Sequence, residues 1–232
     1  MSLQGLYEYY ASHPESGWIM KPEKVPHLFS LVKKNPIKKV LDLGTGIGCT
    51  AAIIALALEE KGVEDYEIHT VEQYPKCVDI AKDIMPKVLR NNITFHLAEP
   101  TTWSTELLPY RHFSTFKELP EGDWDLILVD GPGGFMEGEN YIDLPNGDVM
   151  KLLLENKIKA ESLVVFDGRV AAFQLLEKYF GDNFYFRPTA TNIPLYVLER
   201  IAGDAIFKDD MLNSMRLAGY FANKGIDKIV EQ

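Results

Sequence analysis

Residues 40–51 read Val40-Leu41-Asp42-Leu43-Gly44-Thr45-Gly46-Ile47-Gly48-Cys49-Thr50-Ala51, and this stretch decides the fold. An apolar run typical of a buried strand leads directly into three alternate glycines, and a segment typical of a helix follows. Glycine permits positive φ and lets a ligand lie against bare backbone, while the first turn of the following helix offers unpaired N–H groups. The stretch therefore predicts a loop that binds a nucleotide cofactor.

Strands and helices alternate around this loop. The pattern predicts strands at 37–43, 67–72, 93–97, 124–130 and 162–167, and helices at 48–61, 75–85, 146–157 and 170–180. Two further strands, 183–187 and 195–199, follow each other too closely for a helix and are expected to pair antiparallel. Segment 98–123 has no clear period and is expected to be a loop with room for one short helix. The prediction is an α/β fold of the Rossmann-like, doubly wound type, with a mostly parallel seven-stranded sheet and a terminal antiparallel hairpin.

Length and composition restrict the class of protein. The 232 residues suit one domain over 1–232, with a helical lead-in or cap at 1–36 and a helical tail at 205–232. The net charge of −10 makes nucleic acid a poor partner. Two cysteines, no secretion signal and no long apolar run indicate a cytoplasmic protein that does not enter a membrane. The tail could pack on its own domain or on a second subunit, which leaves a homo-oligomer open.

Acidic residues stand at the ends of three strands beyond the glycine loop. Glu72, Asp130 and Asp167 each follow an apolar run, and ligands of open α/β sheets bind at the carboxyl ends of the strands. Glu72 is expected to accept hydrogen bonds from the hydroxyls of a ribose; the alternative is a solvated strand-end glutamate. Asp42 either binds a cofactor amine or ties the amides of its own loop.

These residues resemble the class I S-adenosylmethionine-dependent methyltransferases. Residues 40–48 are similar to the first motif of that family, Ala98-Glu99 to the segment at the adenine edge, and 125–132 to its fourth motif. A dinucleotide fingerprint would place its third glycine at position 49, where this chain has Cys49. The resemblance implies S-adenosylmethionine as the cofactor, bound by Asp42, Gly44, Thr45, Gly46, Gly48, Glu72, Ala98, Glu99 and Asp130.

The resemblance also implies a methyl acceptor and candidate catalytic groups. The fourth motif is not the one that nucleic-acid base methyltransferases carry, so a small-molecule substrate, methylated at oxygen, is expected. Asp130 is the leading candidate base and His13, on the lead-in, is the next. The pair Asp130 and Asp167 is similar to the acids that hold a divalent cation in the catechol type of O-methyltransferase, which makes Mg²⁺ a candidate. Alternatively, Asp130 orients donor or substrate and Asp167 caps the helix that starts near Arg169.

Several features admit more than one interpretation. The glycine-rich segment 131–138 is either a gate over the cleft or a long turn. Trp18, Trp103 and Tyr141 either stack on a ligand or pack in the protein, and Arg169 either recognises a carboxylate or pairs with Asp167. Three other functions stay open: an NAD(P)-dependent oxidoreductase, a non-catalytic protein that binds S-adenosylmethionine, and an aminopropyl transferase.

Overall fold

The computed structural model describes residues 1–106, 108, 112–187 and 195–202. The predicted tail at 205–232 lies outside the described residues. Within the described part of the chain, no helix is both long and apolar enough to cross a membrane. The elements in chain order are α1 (Leu3–Ala11), α2 (Val25–Lys34), β1 (Lys39–Leu43), α3 (Cys49–Lys61), β2 (Glu67–Glu72), α4 (Pro75–Ile84), α5 (Lys87–Arg90), β3 (Ile93–Leu97), β4 (Pro100–Ser104), β5 (His112–Phe116), β6 (Leu126–Val129), β7 (Phe135–Glu137), β8 (Asn140–Ile142), α6 (Asp148–Leu154), β9 (Leu163–Asp167), α7 (Val170–Phe180), β10 (Phe184–Arg187) and β11 (Leu195–Arg200).

A seven-stranded sheet forms the centre of the fold, in the order β10-β11-β9-β6-β1-β2-β3. The pairs among β9, β6, β1, β2 and β3 are parallel, and β11 is antiparallel to both of its neighbours. This confirms the predicted fold class, including the terminal hairpin. Because the strand order reverses between β1 and β6, the ligand site of this sheet is expected outside their carboxyl ends.

Helices cover both faces of the sheet, and the strands show why. Val40 belongs to one apolar cluster and Leu41 to the other, and Leu128 and Val129 divide in the same way. Successive residues of a strand point to opposite faces, so buried strands need apolar residues at every position. This explains the continuous apolar runs that made the strands recognisable.

The predicted lead-in is helical and packs on α3. Helices α1 and α2 both contact α3, so α3 lies between them and the sheet. All residues from Cys49 to Leu58 are buried as a result. Because neighbouring elements cover every face of α3, its residues are apolar on every face. The lead-in therefore completes one face of the domain.

Segment 98–123 departs from its prediction. Instead of a loop with a short helix, it contains the antiparallel pair β4 and β5, with Trp103 opposite Phe113. Four successive residues of β5, from Phe113 to Phe116, are buried, so the alternation that identifies a strand is missing. Segment 131–138 likewise enters a short hairpin of β7 and β8, where Met136 pairs with Tyr141.

Candidate functional site

The glycine loop after β1 fits tightly against the turn after β6. Gly44 has φ of +109°, and a Cβ built on it would lie 2.7 Å from the backbone nitrogen of Gly131. The backbone nitrogens of Asp130 and Gly131 both donate to the carbonyl oxygen of Leu43, at 2.7 and 2.6 Å. No side chain fits at position 44, because both loops approach each other through their backbones. This contact fixes the distance between the two halves of the site.

Gly46 serves a different purpose. It also has positive φ, +51°, but a Cβ built on it meets no atom within 4 Å, so its backbone borders open space. Its N–H donates to Glu72 Oε2 at 2.8 Å, which ties the loop to the end of β2. The other oxygen of Glu72 accepts from the N–H groups of Gln73 and Tyr74. Burial raises the pKa of Glu72, and these backbone donors oppose that rise.

Asp42 and Thr45 lie beneath the loop, inside the protein. The Thr70 hydroxyl donates to Asp42 Oδ2 at 2.8 Å and lies 2.5 Å from the hydroxyl of Thr45. Asp42 Oδ1 has no hydrogen-bond partner among the described residues. Burial raises the pKa of Asp42 to about 7. Asp42 accepts from a β2 hydroxyl and from no amide of its own loop among the described residues, so its binding of a cofactor amine stays a prediction.

The end of β3 supplies the remaining residues predicted for the donor. The Ala98 N–H donates to the Glu72 carbonyl at 2.9 Å, so Ala98 lies directly beside Glu72. Glu99 is exposed and forms an ion pair with Lys117 at 2.5 Å. A pocket of about 350 Å³ opens here; its lining residues are Glu99, Pro100, Thr101, Lys117, Phe135, Met136 and Glu137.

The acids after β6 and at the end of β9 lie side by side. Val129 pairs with Phe166 in register, so the next residues, Asp130 and Asp167, meet at the same edge. We call these two residues the acid pair. An Arg169 Nη atom donates to the Asp130 carbonyl oxygen and lies 3.5 Å from its carboxylate.

The Asp130 side chain is 29% exposed. Burial raises the pKa of Asp130 to about 7; Arg169 and Lys24 lower it, while Asp167 and Asp42 raise it further. A carboxylate with this pKa is divided between its two protonation states at neutral pH, which suits a general base.

The predicted Mg²⁺ site does not fit the structure. The Lys24 ammonium forms an ion pair with Asp167, and both side chains are buried. An ammonium therefore occupies the position beside Asp167 that a cation would take. The described residues contain no group of three His, Cys, Asp or Glu side chains able to hold a metal. Two carboxylates, one already paired, make an incomplete Mg²⁺ site.

The other predicted residues lie elsewhere. His13 follows α1, and its hydrogen bonds stay within its own turn, including one from the Glu15 N–H at 3.2 Å. Trp18 is 88% exposed, and Trp103 packs against Phe113. The structure brings His13 into no contact with Asp130 among the described residues, so its catalytic role stays a prediction.

Two parts of the site were missed from the sequence. Lys24 gave no signal, because its partner is 143 residues away. Asn146 and Asp148 were read only as the start of a helix, yet the buried Asn146 side chain donates to the Gly131 carbonyl at 2.6 Å and to Asp148 at 2.8 Å. Asp148 also accepts from the Phe116 N–H. These contacts fix the turn that follows β6.

The sheet order, with β11 antiparallel to both neighbours, stands beside the glycine loop and the acid at the end of β2 as the structural evidence for the class of protein. The chain is a class I S-adenosylmethionine-dependent methyltransferase, and hence an enzyme. Residues 12–120 match the family described as protein-L-isoaspartate(D-aspartate) O-methyltransferase (PCMT). The oxidoreductase and non-catalytic alternatives are thereby set aside.

Individual proteins show the same similarity. A protein-L-isoaspartate O-methyltransferase from Methanocella arvoryzae is 28% identical over 143 residues, covering 61% of this chain and 70% of its own. One from Ignicoccus hospitalis is 24% identical, covering 59% and 68%. Among solved structures, an O-methyltransferase from Bacillus cereus in complex with SAH has a TM-score of 0.58 at 13% identity, covering 86% of this chain and 90% of its own. The O-methyltransferase TomG from Streptomyces achromogenes, in complex with SAM, has a TM-score of 0.54 at 12% identity, covering 87% and 89%.

Proposed function

We propose that the chain transfers a methyl group from S-adenosylmethionine to an oxygen atom of a small-molecule acceptor. The observation that carries the donor end is the open backbone at Gly46, bonded directly to Glu72. A ligand can approach this backbone closely, and Glu72 Oε2, which accepts only the Gly46 N–H among the described residues, can also accept from a ribose hydroxyl.

The donor would extend across the ends of β1, β2 and β3. These strands are neighbours, and adjacent strands lie about 4.8 Å apart, so the ends of β1 and β3 are separated by roughly 10 Å, a span suited to a ribose and a purine. The pocket beside Glu99, with Phe135 and Met136 among its walls, supports a position for the purine there. The reactive end of the donor would then face the contact between Gly44 and Gly131.

The acceptor would bind on the other side of that contact, at the acid pair. When bound, S-adenosylmethionine supplies a methyl group on a positively charged sulfur. The chain's own part is to hold the acceptor oxygen in line with that methyl group and to exclude water. Asp130 would take the proton of an acceptor hydroxyl, and its pKa near 7 supports that role.

A second candidate acceptor is a carboxylate on a polypeptide. The family match over residues 12–120 and the names of the relatives favour it. A carboxylate is already ionised at neutral pH and needs no base, but it does need a cation to bind it. Arg169, beside Asp130, could supply that cation.

Donor consumption separates the two acceptors. We would incubate the enzyme with S-adenosylmethionine and either pooled hydroxylated metabolites or a peptide containing isoaspartate, over a range of pH. A hydroxyl acceptor predicts a rate that rises with pH to a plateau above about 7 and falls at least about 100-fold in Asp130→Asn, since general bases contribute 10²–10⁴-fold. A carboxylate acceptor predicts turnover of the peptide with little dependence on pH or on Asp130. Turnover with neither acceptor class, together with no donor binding, would refute the proposal.

A further inference from the structure

The Lys24 side chain is a buried charge at the acceptor end of the site. It is 6% exposed, its partner Asp167 is 7% exposed, and the two form a direct ion pair. Lys24 immediately precedes α2, and Met20 and Val25 on either side of it are buried. The lead-in thus holds the lysine firmly at the carboxyl edge of the sheet, between α2 and β9.

The ammonium lies against the Asp167 carboxylate at the end of β9. A Cβ built on Gly168 would be 3.8 Å from Lys24 Nζ, so the lysine covers the end of β9. The charged groups that act on Asp130 are Arg169 beside α7, Asp167 on β9, Asp42 on β1 and Lys24 before α2. Two are cations and two are acids, which makes Lys24 one of the two positive charges opposing the acids.

We propose that Lys24 is a positioning residue that neutralises Asp167 in place of a divalent cation, leaving Asp130 as the carboxylate available to the acceptor. Without Lys24, the acid pair would place two carboxylates at adjacent strand ends, and like charges at that spacing resist joint ionisation. A divalent cation that coordinated both acids would remove this repulsion. A lysine that binds Asp167 reduces the repulsion and leaves the Asp130 carboxylate without a metal ligand bond. The role of Asp130 rests on the proposed function, but the charge arrangement can be measured without turnover.

A purely structural role is the competing explanation. Lys24 and Asp167 could simply fasten the lead-in to β9, because removing one partner of a buried ion pair is costly. The two explanations predict different effects on the pKa of Asp130. If the ion pair is purely structural, removing the Lys24 charge leaves the pKa of Asp130 unchanged. If Lys24 balances the charge of the acid pair, removing it changes that pKa.

Carbon NMR of the side-chain carboxyl groups tests this, with the Asp130 resonance assigned from Asp130→Asn. In Asp167→Asn the lysine keeps its charge and loses its partner, so we expect the pKa of Asp130 to fall by about one unit, a tenfold change in acid dissociation. In Lys24→Met/Asp167→Asn the cation is gone, and the pKa should return towards that of the wild type. Equal pKa values for Asp130 in the two variants would overturn the proposal. Lys33→Met is the matched control: it removes an exposed ion pair between Lys33 on α2 and Glu60 on α3 and should leave the pKa of Asp130 unchanged.

The wild-type protein provides a second measurement that does not depend on a variant folding. Millimolar Mg²⁺ should leave the Asp130 carboxyl resonance unchanged, and a shift of that resonance would overturn the proposal. Once an acceptor is known, chelator should leave the rate unchanged, and loss of the rate would count against the proposal. Absence of turnover together with absence of donor binding would refute the proposed function alone, because the NMR results would stand without it.

Discussion

Replacing Gly46 by alanine should separate the cost of folding from the cost of binding. The residue has φ of +51°, and an added Cβ meets nothing within 4 Å in the protein. Only the backbone conformation is penalised, by about 1–2 kcal/mol for an L-residue in the left-handed region. In a chain of this length, each kcal/mol lowers Tm by roughly 2–4 °C. The variant should therefore fold with modestly reduced stability.

The expected loss of donor affinity is larger and follows from the same geometry. A ligand in contact with bare backbone would have to withdraw by about the length of a carbon–carbon bond, ~1.5 Å. That displacement would break a hydrogen bond to the Glu72 carboxylate, and hydrogen bonds to charged groups are worth about 1.5–3 kcal/mol. The dissociation constant for the donor should rise by roughly 10- to 150-fold.

Gly62 provides the matched control. It also has positive φ, +79°, meets no atom at a built Cβ, and lies at the far end of α3. Gly62→Ala should lose similar stability in thermal unfolding and keep wild-type affinity for S-adenosylmethionine and its demethylated product in calorimetric titrations. If Gly46→Ala binds both ligands as tightly as Gly62→Ala does, the donor does not lie on this loop.

Three further substitutions address other parts of the site. Gly44→Ala should cost about 2–5 kcal/mol in urea unfolding, because its Cβ would lie 2.7–2.8 Å from the backbone of Asp130 and Gly131 and its φ is positive; a smaller loss would show that the two loops can separate. Glu72→Gln removes the charge and replaces one accepting oxygen by an NH₂ group that cannot accept from the backbone N–H groups around it, so donor affinity measured by calorimetry should fall at least about tenfold, and unchanged affinity would contradict the ribose assignment. Asp148→Asn should cost more stability at about pH 5 than at about pH 8. Burial raises the pKa of Asp148 from 3.8 to about 7, so its stabilising protonation is lost as pH rises through that window; a cost independent of pH would contradict this.

The strands and the donor loop were predictable because their signals are local. Val40 to Gly48 contains both the strand and the glycines that need positive φ, and β2 and β3 were predicted at their observed bounds. β4 and β5 were not, because burial of β5 on both sides removes alternation and Pro100 suggests a loop. The neighbouring positions of Asp130 and Asp167 were predictable because Asp130 follows β6, Asp167 ends β9, and these two strands are parallel. The partner of Asp167 is Lys24, which is 143 residues away in the sequence. No local pattern in the sequence indicates a contact between residues so far apart.

The division between donor and acceptor halves bears on what the enzyme methylates. The family match ends at residue 120, just before β6, whereas Asp130, Asp167 and Arg169 all follow it. Similarity over 12–120 therefore constrains the groups that would hold the donor and leaves most of the acceptor end free to differ. Of the four charged residues at the acceptor end, Lys24 lies inside the matched segment, on the lead-in, and the other three, Asp130, Asp167 and Arg169, do not. If Lys24 balances the acid pair as proposed, a residue inside the matched segment affects the charge of a site whose other charged residues, Asp130, Asp167 and Arg169, lie in the second half of the chain. The acceptor must then be judged from that charge: a hydroxyl acceptor would need Asp130 to take its proton, whereas a carboxylate acceptor would need Arg169 as its cation.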